Sequence, residues 1–341
     1  MQKYPFTLTR RSFIKAGVPA LATITLAPSL LYAESQHAQR LELIKQLGKE
    51  TGLSKKIIEP IIMQAVFDAS IIKRMKTPYE SRTYAEYRPL FVHPRLAKKG
   101  QAYLQQHADI FAASEEKYGV QKEIIAAILG METRYGENRG NDAVVNSLFT
   151  LATGYPRRAK FFRKELGELL LLCQEEGLNP LEFKGSYAGA FGTTQFIPSS
   201  YRAYAVDSDG DGKRNVWTSP ADIIDSVANY FQHHGWNHTQ ALAHWLSSDE
   251  ALKSKSLHLK QGFQHWHRLA DMRASLPPLD GRWHDDDKVT LIEMTTHQGK
   301  QTALVDYNFY VITRWNRSYN YAMAVTELAA LMGCEACQTH A

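Results

Sequence analysis

The chain has 341 residues, 44% of them hydrophobic and 22% charged. That balance is ordinary for a folded protein and excludes disorder, collagen and coiled coil as descriptions of the whole chain. The formal net charge is +5, but Lys3, Arg10, Arg11 and Lys15 supply +4 of it within residues 1–33, which contain no acid. The remaining +1 gives no global electrostatic case for nucleic acid as a partner.

The segment Thr9–Lys15 reads TRRSFIK, and an apolar stretch follows from Ala16 to about Leu31, broken by Gly17, Pro19 and Pro28. Twin arginines ahead of such a run look like a twin-arginine export signal over residues 1–33, cut near Ala33. The run is short for a membrane span, which needs about 20 apolar residues. The mature chain is expected to be soluble and outside the cytoplasm, where disulfides persist. Cys334 and Cys337 then form a local disulfide or stay as idle thiols, and Cys173 reads as core. A redox role for the pair lacks the strand–helix setting that would support it.

Helical periodicity runs over 38–75, with Ile57, Ile58, Ile61, Ile62, Ala65 and Val66 as one apolar stripe. Residues 76–98 are turn-rich and aromatic. Helices are expected near 97–117, 121–134 and 157–176. The segment 184–200 is too rich in Gly, Ser and Thr for a regular helix, and 220–234 and 238–247 return to helix. Beyond about 250, Val289–Met294 and Thr302–Val305 flank a turn at His297–Lys300, a hairpin signal. Phe309–Trp315 reads as a third strand, and Ala322–Met332 as a closing helix. The fold class is mainly α (α+β). An N-terminal helical region covers 34–118, a central core 119–251, a small antiparallel β domain 252–314 and a C-terminal helix 315–341.

Three motifs carry chemistry. Ile125, Ile128, Leu129 and Glu132 fall at i, i+3, i+4 and i+7, so Glu132 ends an apolar stripe. A carboxylate facing an apolar interior is pushed up in pKa, as a general acid requires. A structural glutamate paired with an arginine is the alternative. Second, Gly185, Gly189 and Gly192 let backbone approach a ligand, and the hydroxyls and Gln195 amide around them suit sugars. Tight helix packing is the alternative there, and no phosphate-loop lysine follows. Third, Asp207, Asp209, Asp211 and Gly212 occupy positions 1, 3, 5 and 6 of an EF-hand-type loop. Lys213 would offer its backbone carbonyl. Thr218 stands where a bidentate glutamate normally sits, so Asp222 is the nearest closing ligand, and binding is expected to be weak or unselective. Oxygen donors argue against zinc or copper.

In order along the chain stand GMETRYG at 130–136, YPRRA at 155–159, GSYAGAFGTTQFIPSS at 185–200, SVANYF at 226–231 and ITRWNRS at 312–318. With the acidic loop in place, this set resembles the lytic murein transglycosylases of the B type (MltB-like) from about Tyr87 to Leu331. The resemblance implies a lysozyme-like helical core with an EF-hand-like loop. It implies cleavage of the β-1,4 bond between N-acetylmuramic acid (MurNAc) and N-acetylglucosamine (GlcNAc), leaving a 1,6-anhydro end without water. Glu132 matches the single acid/base. Ser186 and Gln195 match saccharide contacts, Arg157 and Arg158 a basic pair near the glycan or its peptide, and Tyr230, Tyr321 and Tyr87 cleft aromatics. Trp315 stands where the family commonly has tyrosine. No organic cofactor is implied, and the loop would hold structural calcium or sodium. The partner is peptidoglycan, with other cell-wall enzymes as candidates; the location is the periplasm and the state monomeric. Ordinary glycosidases need two carboxylates, and Glu137 and Asp142 are the candidates for a second. A hydrolytic muramidase and a non-catalytic peptidoglycan-binding protein are the rival readings.

Overall fold

The computed structural model of the protein describes residues 28–76, 82–238, 241–247, 250 and 261–339. The export signal read over 1–33 lies outside the described residues up to position 27. From Pro28 the chain is helical as far as Thr51. The chain divides after Glu42 into two compact units. The described part of the first is the opening of that helix, and everything below concerns the second, residues 43–341. Among the described residues, no helix is long and apolar enough to cross a membrane.

The centre of the fold is the helix Lys122–Thr133. Ile124 through Leu129 are completely buried, and Gly130, Met131 and Thr133 are buried as well. A helix apolar all round belongs inside a bundle, so the single inward stripe expected from periodicity is only part of its buried surface. Helices Pro94–Gln106, Ala108–Tyr118, Pro220–His233 and Tyr319–Met332 pack around it. The expected helix over 97–117 is two, broken at His107 (φ −119°, ψ 32°). The stripe of residues 57–66 is narrower than expected: Ile58, Ile62 and Ala65 are buried, whereas Ile57 and Val66 are exposed.

Four short strands form one antiparallel sheet, in the order Ala243–Trp245, Gly299–Asp306, Lys288–Thr296, His267–Arg268. The hairpin Lys288–Asp306 is the one its alternation predicts, and it is covered on both faces. Val289, Leu291 and Leu304 enter a small cluster with Trp283, while Ile292, Met294, Ala303 and Val305 join the main core. Alternation with a period of two thus serves two cores at once.

Two expected elements are different. The helix expected at 238–247 contains a strand, because Ala243–Trp245 pairs with Ala303–Val305. The third strand expected at Phe309–Trp315 is a helix, Tyr307–Trp315, started by Asp306, whose Oδ1 accepts the Phe309 amide at 3.0 Å. The β region therefore draws in residues ahead of 252 and ends at Asp306. Cys334 and Cys337 are joined, and Cys173 is buried and free.

The glycine segment is pinned by a two-residue ladder, Asp142–Ala143 against Lys184–Gly185. A Cβ at Gly185 would stand 2.0 Å from the Ala190 carbonyl oxygen, a backbone atom that cannot swing aside. We expect Gly185→Ala to lose about 2 kcal/mol or more of stability, read as a lower unfolding midpoint. An unchanged midpoint would show that the Ala190 peptide retreats freely.

Candidate active site

Glu132 sits in the last turn of the central helix, partly buried between Met131 and Thr133. Its Oε1 accepts two hydrogen bonds, from Trp315 Nε1 at 2.9 Å and from the Tyr321 hydroxyl at 2.7 Å. Both donors come from the two C-terminal helices. Trp315 is fixed by a parallel stack on Phe231 (5.7 Å, 2°) and by Phe196 and Tyr230.

The chain leaves this helix abruptly. The helix ends at Thr133, one residue short of the expected 134, with Arg134 (φ 52°), Tyr135 (φ 63°) and Gly136 (φ 86°) all left-handed. Each non-glycine residue in that region costs roughly 1–2 kcal/mol. Two capping bonds hold the turn: the Arg134 amide to the Gly130 carbonyl and the Tyr135 amide to that of Leu129. The Tyr135 ring lies across Gly100 and Gly130, where a Cβ would meet its hydroxyl at 2.4 and 2.5 Å. Thr133 completes the lock. Its hydroxyl donates to the Thr193 carbonyl at 3.0 Å and accepts the Gly136 amide at 2.9 Å.

The glycine segment lies directly alongside. Gln195 is also left-handed (φ 52°), and its Nε2 donates to the carbonyls of Arg139 and Gly192. Ser186 Oγ accepts the Ala190 amide. Thr193 faces the other way, donating through its amide to the Val216 carbonyl and through its hydroxyl to that of Trp217. Thr133, Arg139 and Thr193, none of which sequence reasoning singled out, therefore connect the Glu132 turn to the acidic loop. The signal for Thr133 and Thr193 was only their hydroxyls within GMETRYG and GAFGTTQ, and Arg139, between those motifs, had none.

Tyr230 packs edge-on to Trp315 at 4.8 Å, and burial pushes its phenol well up in pKa. His234 stacks on its other face at 4.2 Å, with its imidazole held below the usual range by burial. Beyond Tyr230 a depression of about 730 Å³ runs past Ser199 and Ser200 toward Lys164. Arg157 and Arg158 are exposed on the short turn Pro156–Arg158. Although the residue is exposed, the Arg158 guanidinium lies 4.2 Å over the Phe161 ring, and that local desolvation, with Arg317 nearby, lowers its pKa. Tyr87 is corrected: it is 1% exposed and packs on Phe91 within the core, so it presents no ring to a ligand.

In the acidic loop the carboxylates of Asp207, Asp209 and Asp211 each offer an oxygen within 4.8 Å of the others, and all three residues are exposed. Oxygens so spaced can share one ion at the 2.3–2.6 Å typical of calcium. Asp222, expected as the closing ligand, is fully buried and does different work. Its Oδ1 accepts the Ser208 amide at 2.7 Å, and its Oδ2 accepts the Asn215 amide at 2.7 Å. Burial raises its pKa against the pull of those amides.

A carboxyl held by two donors at the end of a buried helix, beside a glycine-rich wall and aromatic rings, defines a carbohydrate-cleaving site of lysozyme-like type. The transglycosylase SLT domain profile matches residues 35–330. Membrane-bound lytic murein transglycosylase B of Escherichia coli (strain K12) is 33% identical over 307 residues, 87% of this chain and 82% of the relative. The soluble lytic transglycosylase SltB1 from Pseudomonas aeruginosa is 38% identical, with a TM-score of 0.75 over 86% of this chain and 98% of that one. Escherichia coli Slt35, solved in complex with calcium, gives 34% and 0.76 over 88% and 94%. SltB3 from Pseudomonas aeruginosa, solved with NAG-NAM-pentapeptide, gives 29% and 0.73 over 89% and 80%. The chain belongs to the transglycosylase SLT domain family, as a lytic murein transglycosylase.

Removing the Asp222 carboxylate strips the acceptor from three loop amides, those of Ser208, Asp209 and Asn215. Ser208 and Asp209 are exposed and Asn215 is half-buried, so water replaces part of the loss, and Asp222→Ala should cost about 1–3 kcal/mol in denaturant unfolding. A loss below about 1 kcal/mol would mean the amides find other partners.

Proposed function

We propose that Glu132 is the sole acid/base of a reaction that cleaves the MurNAc–GlcNAc β-1,4 bond and closes a 1,6-anhydro ring. The observation that carries this reading is the pair of donors converging on one oxygen of Glu132. With Trp315 and Tyr321 both on Oε1, the transferable proton sits on Oε2. That proton passes to the glycosidic oxygen as its bond to C1 breaks. The carboxylate so formed is stabilised by the same two donors. It then takes the proton of the muramyl C6 hydroxyl while O6 bonds to C1. One bond to C1 breaks, one forms, and Glu132 ends protonated as it began.

No second carboxylate is needed, because the attacking group is already tethered. Well-oriented intramolecular reactions reach effective molarities of about 10⁵ M or more. The two candidates for a second carboxylate are engaged elsewhere. Asp142 takes both guanidinium nitrogens of Arg74, at 2.7 and 2.8 Å. Glu137 pairs with Lys99, which holds it below the usual carboxylate range. Tyr230, Trp315, Ser186 and Gln195 are assigned to the saccharide, and Arg157 and Arg158 to its outer rim. The substrate is peptidoglycan in the periplasm. The export signal and the Cys334–Cys337 bond, which suits an oxidising compartment, support that location. The pentapeptide-bearing ligand of SltB3 supports glycan strands that carry peptide stems.

Glu132→Gln keeps the size and the accepting oxygen but cannot give and retake a proton. We expect at least a 10²–10⁴-fold loss, measured by mass spectrometry of digested sacculi. The anhydro product is lighter than the hydrolytic one by one water. Activity within about threefold of the native protein, or a hydrated product, overturns the assignment.

We assign a structural calcium or similar hard cation to Asp207, Asp209 and Asp211, as the calcium complex of Slt35 supports. Its contribution is to neutralise three neighbouring carboxylates. A cation bound only by the folded chain adds about 2.7 kcal/mol at 100 times its Kd. Calcium should raise the melting temperature, EDTA should lower it, and Asp211→Ala should abolish the difference. Turnover at low temperature should survive EDTA. Lost turnover with an unchanged melting curve would make the metal catalytic instead.

A further inference from the structure

Beside the turn that follows Glu132 lies a cavity of about 380 Å³. Its floor is apolar, with Phe91, Leu96 and Met131, and its rim is cationic, with Arg95, Lys99 and Arg134. The only acid lining it is Glu137, which Lys99 already holds. Arg95 and Arg134 also act on that carboxylate, so all three cations converge on one place. Three positive charges against one leave a surplus of two. His93 adds a donor: its Nδ1 accepts the Leu96 amide at 3.1 Å, which leaves Nε2 to donate.

Among the side chains that line the cavity, Glu137 is the one oxygen acceptor, so the lining favours anions over sugar hydroxyls, which need donors and acceptors together. It suits an anion with an apolar stem. Arginine and lysine forming charge-assisted bonds to a carboxylate are the strong case of such recognition. Met131 and Arg134, which line the cavity, stand within two positions of Glu132 in the chain.

We propose that this cavity binds a carboxylate of the peptide stem carried by the muramyl residue, and so selects peptide-bearing strands over bare glycan. The proposal rests on the peptidoglycan reading above. It differs from the Arg157–Arg158 rim, which stands on another turn of the chain.

The test is direct binding, independent of turnover. The probe is GlcNAc–MurNAc-pentapeptide, which lacks the MurNAc–GlcNAc bond and is not cleaved. Its affinity for the native protein is compared, by calorimetry, with that of the same compound bearing carboxamides in place of its carboxylates. The native protein should prefer the carboxylate form about tenfold, and Arg95→Gln with Arg134→Gln should bring the ratio to about one. Arg95 is exposed on the first turn of its helix. Arg95→Gln alone therefore serves if the double variant fails to fold, with the ratio falling about threefold. No preference in the native protein, or a preference that survives the substitutions, overturns the proposal. Missing anhydro product from sacculi would instead overturn the assigned reaction and leave this binding ratio standing.

Discussion

The structure turns on one carboxyl oxygen. Glu132 Oε1 is held by residues 183 and 189 positions further along the chain, and the fold is arranged to bring them there. The helix Tyr319–Met332 lies against the central helix and presents Tyr321 at one end. Nearer its other end, Glu327 is 8% exposed and pairs with Arg88, while its Oε1 takes the Trp245 indole N–H at 3.2 Å. The N-terminal helical region, the sheet and the C-terminal helix thus meet at Glu327, which fixes how far Tyr321 reaches. A buried acid with two designated partners tolerates little slippage, because its surroundings cannot substitute for a lost donor.

The second support comes from the opposite direction. Thr133, adjacent to Glu132, is bonded to Thr193, and Thr193 is bonded to Val216 and Trp217 at the end of the acidic loop. Asp222 ties the loop backbone from inside, while Asp207, Asp209 and Asp211 face solvent. The loop has two halves with separate tasks. The buried acid sets the backbone path from inside, and the exposed acids hold the tip of the loop, Asp207 accepting the amides of Gly210 and Gly212 and Asp211 that of Lys213. Both halves reach the residue beside Glu132 through the bond between Thr193 and Thr133.

Much of this was legible in the residues. The apolar run ending in Glu132, the alternation of Lys288–Asp306 and the odd-numbered aspartates are local patterns, and local patterns survive folding. Partnerships across long separations are not written locally. Periodicity singles out Glu132 but says nothing of Trp315 or Tyr321 as its donors, which the family resemblance offered only as cleft aromatics. Phe309–Trp315 misleads because Phe309, Val311 and Ile312 are completely buried. A short, fully buried helix and a buried strand look alike in composition, and the decisive clue was Asp306, a helix-starting residue at the end of a strand. Tyr87 misleads for a related reason: an aromatic in a turn-rich stretch can cover a core as readily as line a cleft. The left-handed Arg134 and Tyr135 have no sequence sign at all, since only the glycines at 100 and 130 make room for that ring.

The distance along the chain from Glu132 to both donors has a bearing on synthesis. A growing chain exposes Glu132 long before it contains Trp315 or Tyr321, 183 and 189 positions further on, so the carboxyl acquires its chemical surroundings only after both have been added. A copy truncated before Tyr307 carries the acid without the groups that aim it.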